Sequence, residues 1–222
     1  MTSSSSSYQA VLFDLDGTLL DTAPDFALIL NTLLATHQRQ TLQESDIRAI
    51  ISDGSAAMIA RAFNCSPKDA AFEAIRSEFL ALYRANVCVE TRPFPGIESV
   101  LARLGAANIP WGIVTNKPSI YTLPLMDALT FNPAPQTVIC PDHVTNTKPH
   151  PESVLLACEH LDSDPKQTLF VGDHQRDIEA GRAAGAITVA AAYGYVDRGE
   201  NIADWNAHHA IECAADLLPI IF

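Results

Sequence analysis

Short apolar runs alternate with amphipathic segments along most of the chain. Five runs predict strands, and most of them are apolar throughout, which is typical of strands buried on both faces of a parallel sheet. These runs are 10–13, 111–114, 137–139, 168–171 and 188–191. Apolar residues recur at helical spacing between the runs, at 97–107, 120–129, 152–161 and 178–184. Strands that alternate with helices predict right-handed crossovers and a doubly wound parallel sheet, which is a Rossmann-like α/β fold.

The interval between the first two predicted strands is too long for a simple crossover. It holds about a hundred residues, whereas a crossover needs only about a dozen. Four segments inside it carry apolar residues at helical spacing, at 26–36, 44–51, 56–62 and 70–85. Turn signals at Pro93, Pro95 and Gly96 close the interval. We therefore predict three regions, which are a helical insertion at 21–91, an α/β core at 8–20 and 92–222, and a disordered serine tract at 1–7.

The charge of the chain limits the classes of partner. With 14 basic and 26 acidic residues, the formal charge is −12, which argues against binding to nucleic acid or to an anionic membrane. A phosphate ester is still a suitable ligand if the site supplies positive charge locally. No apolar run is long enough for a membrane span and no signal peptide opens the chain, which predicts a soluble, cytoplasmic protein. Monomer and homodimer both stay open.

Polar side chains follow the predicted strands at the point where each strand ends. The residues after the first, second and fourth strands are, in that order, Asp14 and Asp16, Thr115 and Asn116, and Asp173. Ligands of open parallel sheets bind outside the carboxyl ends of the strands. We therefore expect these side chains to converge on one active site.

The segment Val11-Leu-Phe-Asp-Leu-Asp-Gly-Thr-Leu-Leu-Asp21 carries the sharpest of these signals. Asp14 and Asp16 are two residues apart, so in an extended strand their side chains leave the same face. Two carboxylates this close both stay ionised at low cost only when a cation lies between them. Gly17 permits a tight turn, and Thr18 offers a hydroxyl group. The alternative is a strand end in which either carboxylate accepts hydrogen bonds from loop amides.

A second acidic group lies in Val171-Gly-Asp-His-Gln-Arg-Asp177. Asp173 ends a predicted strand, and Asp177 lies where the next helix begins. Asp177 either stabilises the N-terminus of that helix or braces and ligates the site. Carboxylates without a cysteine or histidine cluster indicate a hard cation that prefers oxygen. Mg²⁺ suits them best, because it binds few carboxylates and shares a phosphate oxygen with its substrate.

Lys148 supplies the positive charge that a phosphate ester requires. It lies in Asn146-Thr-Lys-Pro-His-Pro151, between a predicted strand and a helix. An ammonium group there can neutralise both a nucleophilic carboxylate and a transferring phosphoryl group. The alternative is a solvated surface lysine. Lys117, in Thr115-Asn-Lys-Pro118, is a second candidate, and a solvent-facing position is the alternative for it.

Four motifs together resemble those of the haloacid dehalogenase superfamily in order and spacing. They are Asp14-Leu-Asp-Gly-Thr18, Thr115, Lys148-Pro149, and Gly172-Asp173 followed by Asp177. The helical insertion, which directly follows the first motif, is similar in position to the four-helix cap of that superfamily. The resemblance covers essentially the whole chain after the serine tract.

Longer strings resemble particular branches of the superfamily. The extension of the first motif to Asp21-Thr22, the string Val114-Thr-Asn-Lys-Pro118 and the string from Val171 to Gly185 resemble the phosphoglycolate phosphatase branch. Ile139-Cys-Pro-Asp-His-Val144 and the ending Tyr193-Gly-Tyr195…Trp205 look similar to bacterial phosphatases of N-acetylmuramic acid 6-phosphate.

The resemblance implies a magnesium-dependent phosphatase that acts on a small phosphorylated metabolite through an aspartyl-phosphate intermediate. Asp14 is implied as the nucleophile. Asp16 is implied as the acid that protonates the leaving alkoxide and then as the base that deprotonates water. Mg²⁺ is implied to bind Asp14, Asp173 and the backbone carbonyl of Asp16, with Asp177 in support.

The remaining site residues are implied to hold the phosphoryl group and the substrate. Thr115 is expected to donate a hydrogen bond to a phosphoryl oxygen, and Lys148 is expected to balance charge. Gly17, Thr18 and Asn116 are expected to bind the substrate, with loop amides near Gly17 facing the phosphoryl group. The cap is expected to close over the substrate and select the leaving group.

Other activities on the same fold make different demands. A dehalogenase needs no leaving-group acid, because a halide needs no proton, and Asp16 argues against it. A mutase of the β-phosphoglucomutase type keeps all four motifs, so that only its products distinguish it. A phosphonatase would need a Schiff-base lysine in the cap, where Lys68 beside Pro67 is the one lysine. A non-catalytic binding protein would be expected to have lost Asp14, Asp16 or Lys148.

Overall fold

The five predicted strands all form, and together with a sixth strand they make one parallel sheet. The computed structural model describes residues 8–196 and 199–222, so the predicted disorder at 1–7 lies outside the described residues. In chain order, the strands of the described residues are β1 (Ala10–Phe13), β2 (Leu20–Asp21), β3 (Arg92–Pro93), β4 (Trp111–Val114), β5 (Thr137–Ile139), β6 (Thr168–Gly172), β7 (Ile187–Ala191) and β8 (His209–Ile211). The sequence did not predict β8, because this short edge strand has two exposed residues and only one buried one. It did not predict β2 or β3, which have two residues each.

β1 lies at the centre of the sheet, and its neighbours bring three strand ends together. The strand order is β5-β4-β1-β6-β7-β8, and all neighbouring strands are parallel. Phe13 pairs with Ile113 of β4 and with Val171 of β6, so the carboxyl ends of these three strands lie level. After β1 the chain forms β4 and β5 on one side, and then β6, β7 and β8 on the other. The end of β1 is therefore the switch point at which open α/β sheets bind ligands.

The helices form close to the predicted positions. In chain order they are α1 (Ala23–Thr36), α2 (Glu44–Arg48), α3 (Gly54–Phe63), α4 (Phe72–Ala85), α5 (Ile97–Ala106), α6 (Ser119–Ala128), α7 (Glu152–His160), α8 (Gln175–Ala184) and α9 (Leu218–Ile221). α8 begins three residues before the predicted start, because the His174 side chain accepts a hydrogen bond from the amide of Arg176 and so caps the helix. α2 ends at Arg48, before the predicted end at residue 51. Ile50 and Ile51 are buried, but they lie in the turn and bend that follow the helix.

One face of the sheet packs on α7 and α8. Leu12 of β1 and Phe170 of β6 are fully or almost fully buried there, together with Val154 of α7 and Ala180 of α8. Removal of these side chains from water holds the strands and helices together. The rigid strands of this layer position the polar residues that follow them. None of the helices in the described ranges combines the length and the apolar character needed to cross a membrane.

The described chain forms two compact units. One consists of the segment that ends at Leu20 together with Pro93–Phe222, and the other is Asp21–Arg92. The second unit is built from α1 to α4, with Phe26 of α1 stacked on Tyr83 of α4 at 4.6 Å between ring centroids. Asp25 is buried in this unit, where its carboxylate accepts hydrogen bonds from the amides of Val89 and Glu90 at 3.1 and 2.6 Å. It also accepts a bond of 2.6 Å from the Thr91 hydroxyl, so Asp25 fixes the segment after α4 to α1.

Candidate active site

Three buried carboxylates meet at the carboxyl edge of the sheet. Asp14 directly follows β1, Asp173 directly follows β6, and Asp177 lies in the first turn of α8. Each offers a carboxylate oxygen that lies within 4.8 Å of the oxygens offered by the other two. The convergence expected of strand ends in a parallel sheet therefore extends to the first turn of the following helix.

Lys148 reaches the three carboxylates from the loop between β5 and α7. Its ammonium nitrogen lies 2.9 Å from Asp14 Oδ1 and 2.8 Å from Asp177 Oδ1. It also donates a hydrogen bond of 2.8 Å to the carbonyl oxygen of Val114 at the end of β4. Burial acts to lower the pKa of Lys148, but the charges of Asp14 and Asp177 outweigh burial and raise it. The solvated alternative for Lys148 is therefore wrong, since the side chain is buried and charged.

The electrostatics of the cluster disfavour three simultaneous negative charges. Burial, and then the charges of Asp14 and Asp177, raise the pKa of Asp173 to about 8. Burial also raises the pKa of Asp177 to about 6, although Lys148 acts in the opposite direction. A group whose anionic form is this costly in isolation is stabilised by a nearby cation.

The donor set fits a hard divalent cation. Asp14 Oδ1 and Asp177 Oδ1 are buried, and neither has an aligned hydrogen-bond donor among the residues that the structure describes. Lys148 lies within ion-pair distance of both, but it supplies one positive charge against three carboxylates. Buried carboxylate oxygens with excess negative charge are the surroundings that Mg²⁺ prefers. Asp14, Asp173 and Asp177 are therefore the side chains of the described residues that suit the ion.

Asp173 is held in place from the β1 loop and from the segment after β7. It accepts hydrogen bonds from the Thr18 hydroxyl at 2.6 Å and from the amide of Tyr195 at 2.8 Å. Gly17 has a φ of +88°, and an added Cβ would collide with the Asp173 carboxylate. An added Cβ at Gly194 would also collide with Asp173. The two glycines thus permit a close approach that larger residues would prevent.

Asp16 is turned away from the three-carboxylate cluster. The Lys117 ammonium lies 2.9 and 3.1 Å from its two oxygens. Lys117 is only 8% exposed, so a solvent-facing position for this lysine is wrong. In the structure each of these two carboxylates has its own lysine, Asp14 with Lys148 and Asp16 with Lys117, and a cation shared by Asp14 and Asp16 stays a prediction. Among the described residues, the group of side chains that could hold a metal consists of Asp14, Asp173 and Asp177 and does not include the Asp16 carboxylate.

The three residues predicted to bind the substrate make hydrogen bonds within the protein. The Gly17 amide donates a hydrogen bond to the Leu20 carbonyl at 2.9 Å, and the Thr18 hydroxyl donates one to Asp173. The Asn116 side chain donates to the Lys148 carbonyl at 3.0 Å and accepts from the Lys148 amide at 3.2 Å. These contacts fix the loop that carries Lys148 and the carboxylate of Asp173. The roles of the three residues toward a substrate stay predictions.

Asp177 contacts two neighbouring residues, and the hydroxyl of Thr115 both accepts a hydrogen bond and is able to donate one. The Thr115 hydroxyl oxygen accepts a hydrogen bond of 3.1 Å from the Lys117 amide and can still donate its own proton. Asp177 Oδ2 accepts a bond of 3.1 Å from the His174 amide, which is a helix-capping contact. Asp177 also pairs with Lys148. Asp177 therefore makes a helix-capping contact and also lies beside Lys148, and its supporting role at the site stays a prediction.

Sequence reasoning missed the contribution of the segment after β7. Tyr195 contributes a backbone amide to Asp173, and Tyr193 donates its hydroxyl to the Thr18 carbonyl at 2.9 Å. A backbone donor leaves no trace in the identity of its side chain. The usable signal was the glycine between two aromatic residues directly after an apolar strand, which indicates a close approach of backbone.

Comparison with known proteins gives one family and one kind of fold. The family model described as haloacid dehalogenase-like hydrolase matches residues 11–191. The N-acetylmuramic acid 6-phosphate phosphatase of Pseudomonas aeruginosa is 43% identical over 213 residues, which cover 96% of this chain and 94% of that protein. The phosphoglycolate phosphatase of Xanthomonas campestris is 39% identical over 204 residues, which cover 92% of each protein. The crystal structure of a predicted phosphoglycolate phosphatase from Haemophilus somnus superposes with a TM-score of 0.84 at 28% identity, covering 96% of this chain and 98% of its own.

Proposed function

We propose, because this chain belongs to the haloacid dehalogenase-like hydrolase family, that it hydrolyses a small phosphomonoester through a phosphoaspartate on Asp14. Both related proteins described above are phosphatases, and the enzyme class of this chain is phosphatase. One observation supports the proposal most strongly. The Asp14 carboxylate is buried at the switch point of the sheet, with Lys148 2.9 Å from one oxygen and two further carboxylates beside it.

The first half-reaction forms the phosphoaspartate. Lys148 lies on Oδ1 of Asp14, so we assign attack on phosphorus to the other oxygen of that carboxylate. The bond between phosphorus and the ester oxygen breaks, and Asp16, which first takes up a proton from solvent, gives this proton to the departing alkoxide. Thr115 donates its hydroxyl proton to a phosphoryl oxygen, and Lys148 offsets the negative charge that accumulates.

The second half-reaction returns the free enzyme. Asp16, now ionised, takes a proton from water as the water oxygen attacks phosphorus. The bond between phosphorus and Asp14 breaks, which releases inorganic phosphate and restores the carboxylate. Lys148 lies next to this leaving carboxylate and stabilises its charge.

Mg²⁺ is the cofactor that we propose for this site. Asp14, Asp173 and the backbone carbonyl of Asp16 would hold it, with Asp177 in support. When bound, the ion supplies positive charge to the phosphoryl oxygens. The residues that hold Asp173 in place, Thr18 and Tyr195, would set the position of the ion.

The substrate that we favour is N-acetylmuramic acid 6-phosphate, with phosphoglycolate as the second candidate. The relative that acts on the former is 43% identical over 96% of this chain, compared with 39% over 92% for the relative named for phosphoglycolate. We assign the helical unit Asp21–Arg92 as the family's cap and expect it to select the leaving group. Side-by-side kcat/KM values for the two esters test the order, and we expect at least a roughly tenfold preference for the sugar phosphate.

Asp14→Asn is the variant that tests the mechanism. We expect magnesium-dependent release of phosphate to fall by a factor on the order of 10⁴ or more, since the amide cannot act as the nucleophile. The fold should persist, because Lys148 keeps its contact with Asp177. Phosphate release and the melting temperature should be measured on the same preparations. A folded variant that retains activity would refute the role of Asp14.

The products and the metal requirement distinguish the remaining alternatives. A mutase would return a phosphorylated isomer of the substrate instead of inorganic phosphate. A non-catalytic binding protein would release no phosphate from either ester or from an aryl phosphate, with or without Mg²⁺. The proposed phosphatase releases phosphate from the ester and loses this activity when the metal is chelated.

A further inference from the structure

Lys117 and Asp16 form an ion pair next to the reaction site that the proposed mechanism leaves without a role. The Lys117 side chain is 6% exposed, whereas the Asp16 side chain is 21% exposed. Both carboxylate oxygens lie within 3.1 Å of the ammonium nitrogen. A lysine this deeply buried is costly to leave unpaired, so the pair constrains where the Asp16 carboxylate can lie.

Hydrogen bonds hold both the amide and the carbonyl of Lys117, and they therefore limit where its ammonium group can lie. Its amide donates to the Thr115 hydroxyl at 3.1 Å, and its carbonyl accepts a bond of 3.1 Å from the Thr122 hydroxyl. Asp142 accepts a bond of 2.9 Å from the amide of Ser119, which anchors the start of α6 directly after Lys117. The side chains of Thr115, directly after β4, and of Thr122 in α6 therefore hold the backbone of Lys117, and Asp142 anchors the helix that begins two residues later.

We infer that Lys117 is a positioning residue for Asp16, an inference that rests on the proposed role of Asp16 at the leaving-group oxygen. Asp16 lies two residues from Asp14 and could compete as a further carboxylate in the cluster of Asp14, Asp173 and Asp177. The ion pair holds it outside that cluster, partly exposed, where it can meet the departing oxygen of the ester. Removal of the ammonium group releases the carboxylate from this position.

The dependence of the rate on the leaving group tests the inference. An alkyl phosphate releases a strongly basic alkoxide and needs the Asp16 proton, whereas p-nitrophenyl phosphate releases a weakly basic phenolate and does not. We expect Lys117→Met to slow first-turnover release of the alcohol, measured by rapid quench with Mg²⁺, by about 100-fold. Release of p-nitrophenol should change by less than about threefold. Asp16→Asn should show the same selectivity with a larger loss.

Further variants separate positioning from a structural effect. Lys117→Met/Asp16→Asn removes both charges, and its rate on the alkyl ester should equal that of Asp16→Asn alone, because the two changes act through one group. Lys117→Gln serves the same test if the methionine variant does not fold. Lys166→Met removes one positive charge from an exposed site and should leave both rates unchanged.

The outcomes are distinguishable. Equal losses on the two esters, losses that add in the double variant, or an unchanged rate on the alkyl ester would each overturn the inference while the phosphatase activity stands. Failure of the wild-type protein to release a leaving group from any phosphate ester would overturn the proposed function, and with it the role of Lys117.

Discussion

Asp14 and Asp16 are separated by one residue but lie in different electrostatic surroundings. Asp14 is buried against Lys148 and two further carboxylates, while Asp16 is partly exposed and paired with Lys117. A nucleophile has to be ionised, whereas a leaving-group acid has to exchange protons with its surroundings. The two lysines therefore give two aspartates separate environments, which suit the two different roles that we propose for them.

Asn116 shows how a residue outside the chemistry can control it. Its side-chain amide bonds to both the amide and the carbonyl of Lys148, so it fixes the backbone from which the ammonium extends. We predict that Asn116→Ala lowers kcat about 10–100-fold, as is usual for residues that orient a functional group. KM should change less, because Lys148 acts on Asp14 rather than on the leaving group. Steady-state kinetics on the preferred ester measure both constants.

Asn31 provides a matched control for Asn116. It makes the same pair of bonds with the backbone of Leu42, at 3.0 and 2.8 Å, within the helical unit. Asn31→Ala should lower stability by a similar amount, about 1–3 kcal/mol, and leave kcat unchanged. Equal effects of the two substitutions on kcat would show that Asn116 acts through stability alone.

At the scale of the elements, the active site is assembled from loops that follow adjacent strands. β1, β4 and β6 supply Asp14, Thr115 and Asp173, and the loop after β5 supplies Lys148. The segment after β7 supplies no side chain that the sequence singled out for chemistry. It nevertheless holds two parts of the site in place. The Tyr195 amide donates a hydrogen bond to Asp173, and the Tyr193 hydroxyl donates one to the Thr18 carbonyl.

Gly194 allows the segment after β7 to lie this close to Asp173 and the β1 loop. A Cβ there would overlap Asp173 and the Gly17 carbonyl, so Gly194→Ala has to push the segment after β7 away from the β1 loop. We predict a loss of about 1–3 kcal/mol in the free energy of unfolding and a weaker dependence of activity on Mg²⁺. The activity should be measured across a magnesium titration, together with chemical denaturation.

Gly185→Ala is the control that distinguishes a general loss of stability from a specific effect on the site. Gly185 caps α8 with a φ of +85°, and an added Cβ meets no atom within 4 Å. Alanine there costs about 1–2 kcal/mol through backbone conformation alone. It should leave the magnesium titration unchanged. A shifted titration in this variant as well would contradict a specific role for Gly194.

The limits of prediction also follow from the elements. The strands 10–13 and 111–114 form where the apolar pattern placed them, because burial on both faces leaves a continuous apolar signal. The edge strand 137–139 also forms as predicted, although its middle residue is only half-buried. Asp14 and Asp173 stood out because they are charged residues that directly follow apolar strands, and Lys148 stood out because it lies between a predicted strand and a helix. The contacts of Asn116 and the role of the Tyr195 amide were not, since they depend on distances between loops that are far apart in the sequence.

At the scale of the whole molecule, the acidic character of the chain and the acidity of the site act together. The formal charge is −12, and three of the carboxylates that contribute to it are buried together at the site with one lysine among them. Their mutual repulsion makes folding without metal costly. The Mg²⁺ that we propose for the site would bind only the folded state, offset that cost and so link metal binding to both stability and pH.

The sign of the linkage follows from Asp173, whose pKa rises from 3.8 to about 8 on folding. Between these values the folded protein binds more protons than the unfolded chain, so the stability of the metal-free protein falls as pH increases. Mg²⁺ competes with protons for the same oxygens. We therefore predict that the increase in melting temperature caused by Mg²⁺ is larger at about pH 8 than at about pH 6. At a hundred times Kd the stabilisation should reach about 2.7 kcal/mol, or roughly 5–10 °C.

Asp173→Asn tests whether this residue carries the effect. The amide oxygen can accept the Tyr195 hydrogen bond and the amide nitrogen can donate to the Thr18 hydroxyl, so both contacts of Asp173 survive. The variant has no titrating group at this position, and its metal-free stability should decline less as pH rises. It should also lose most of the shift caused by Mg²⁺, because an essential negative ligand is gone. A shift that is equal at both pH values, or that persists in Asp173→Asn, would place the cation elsewhere in the molecule.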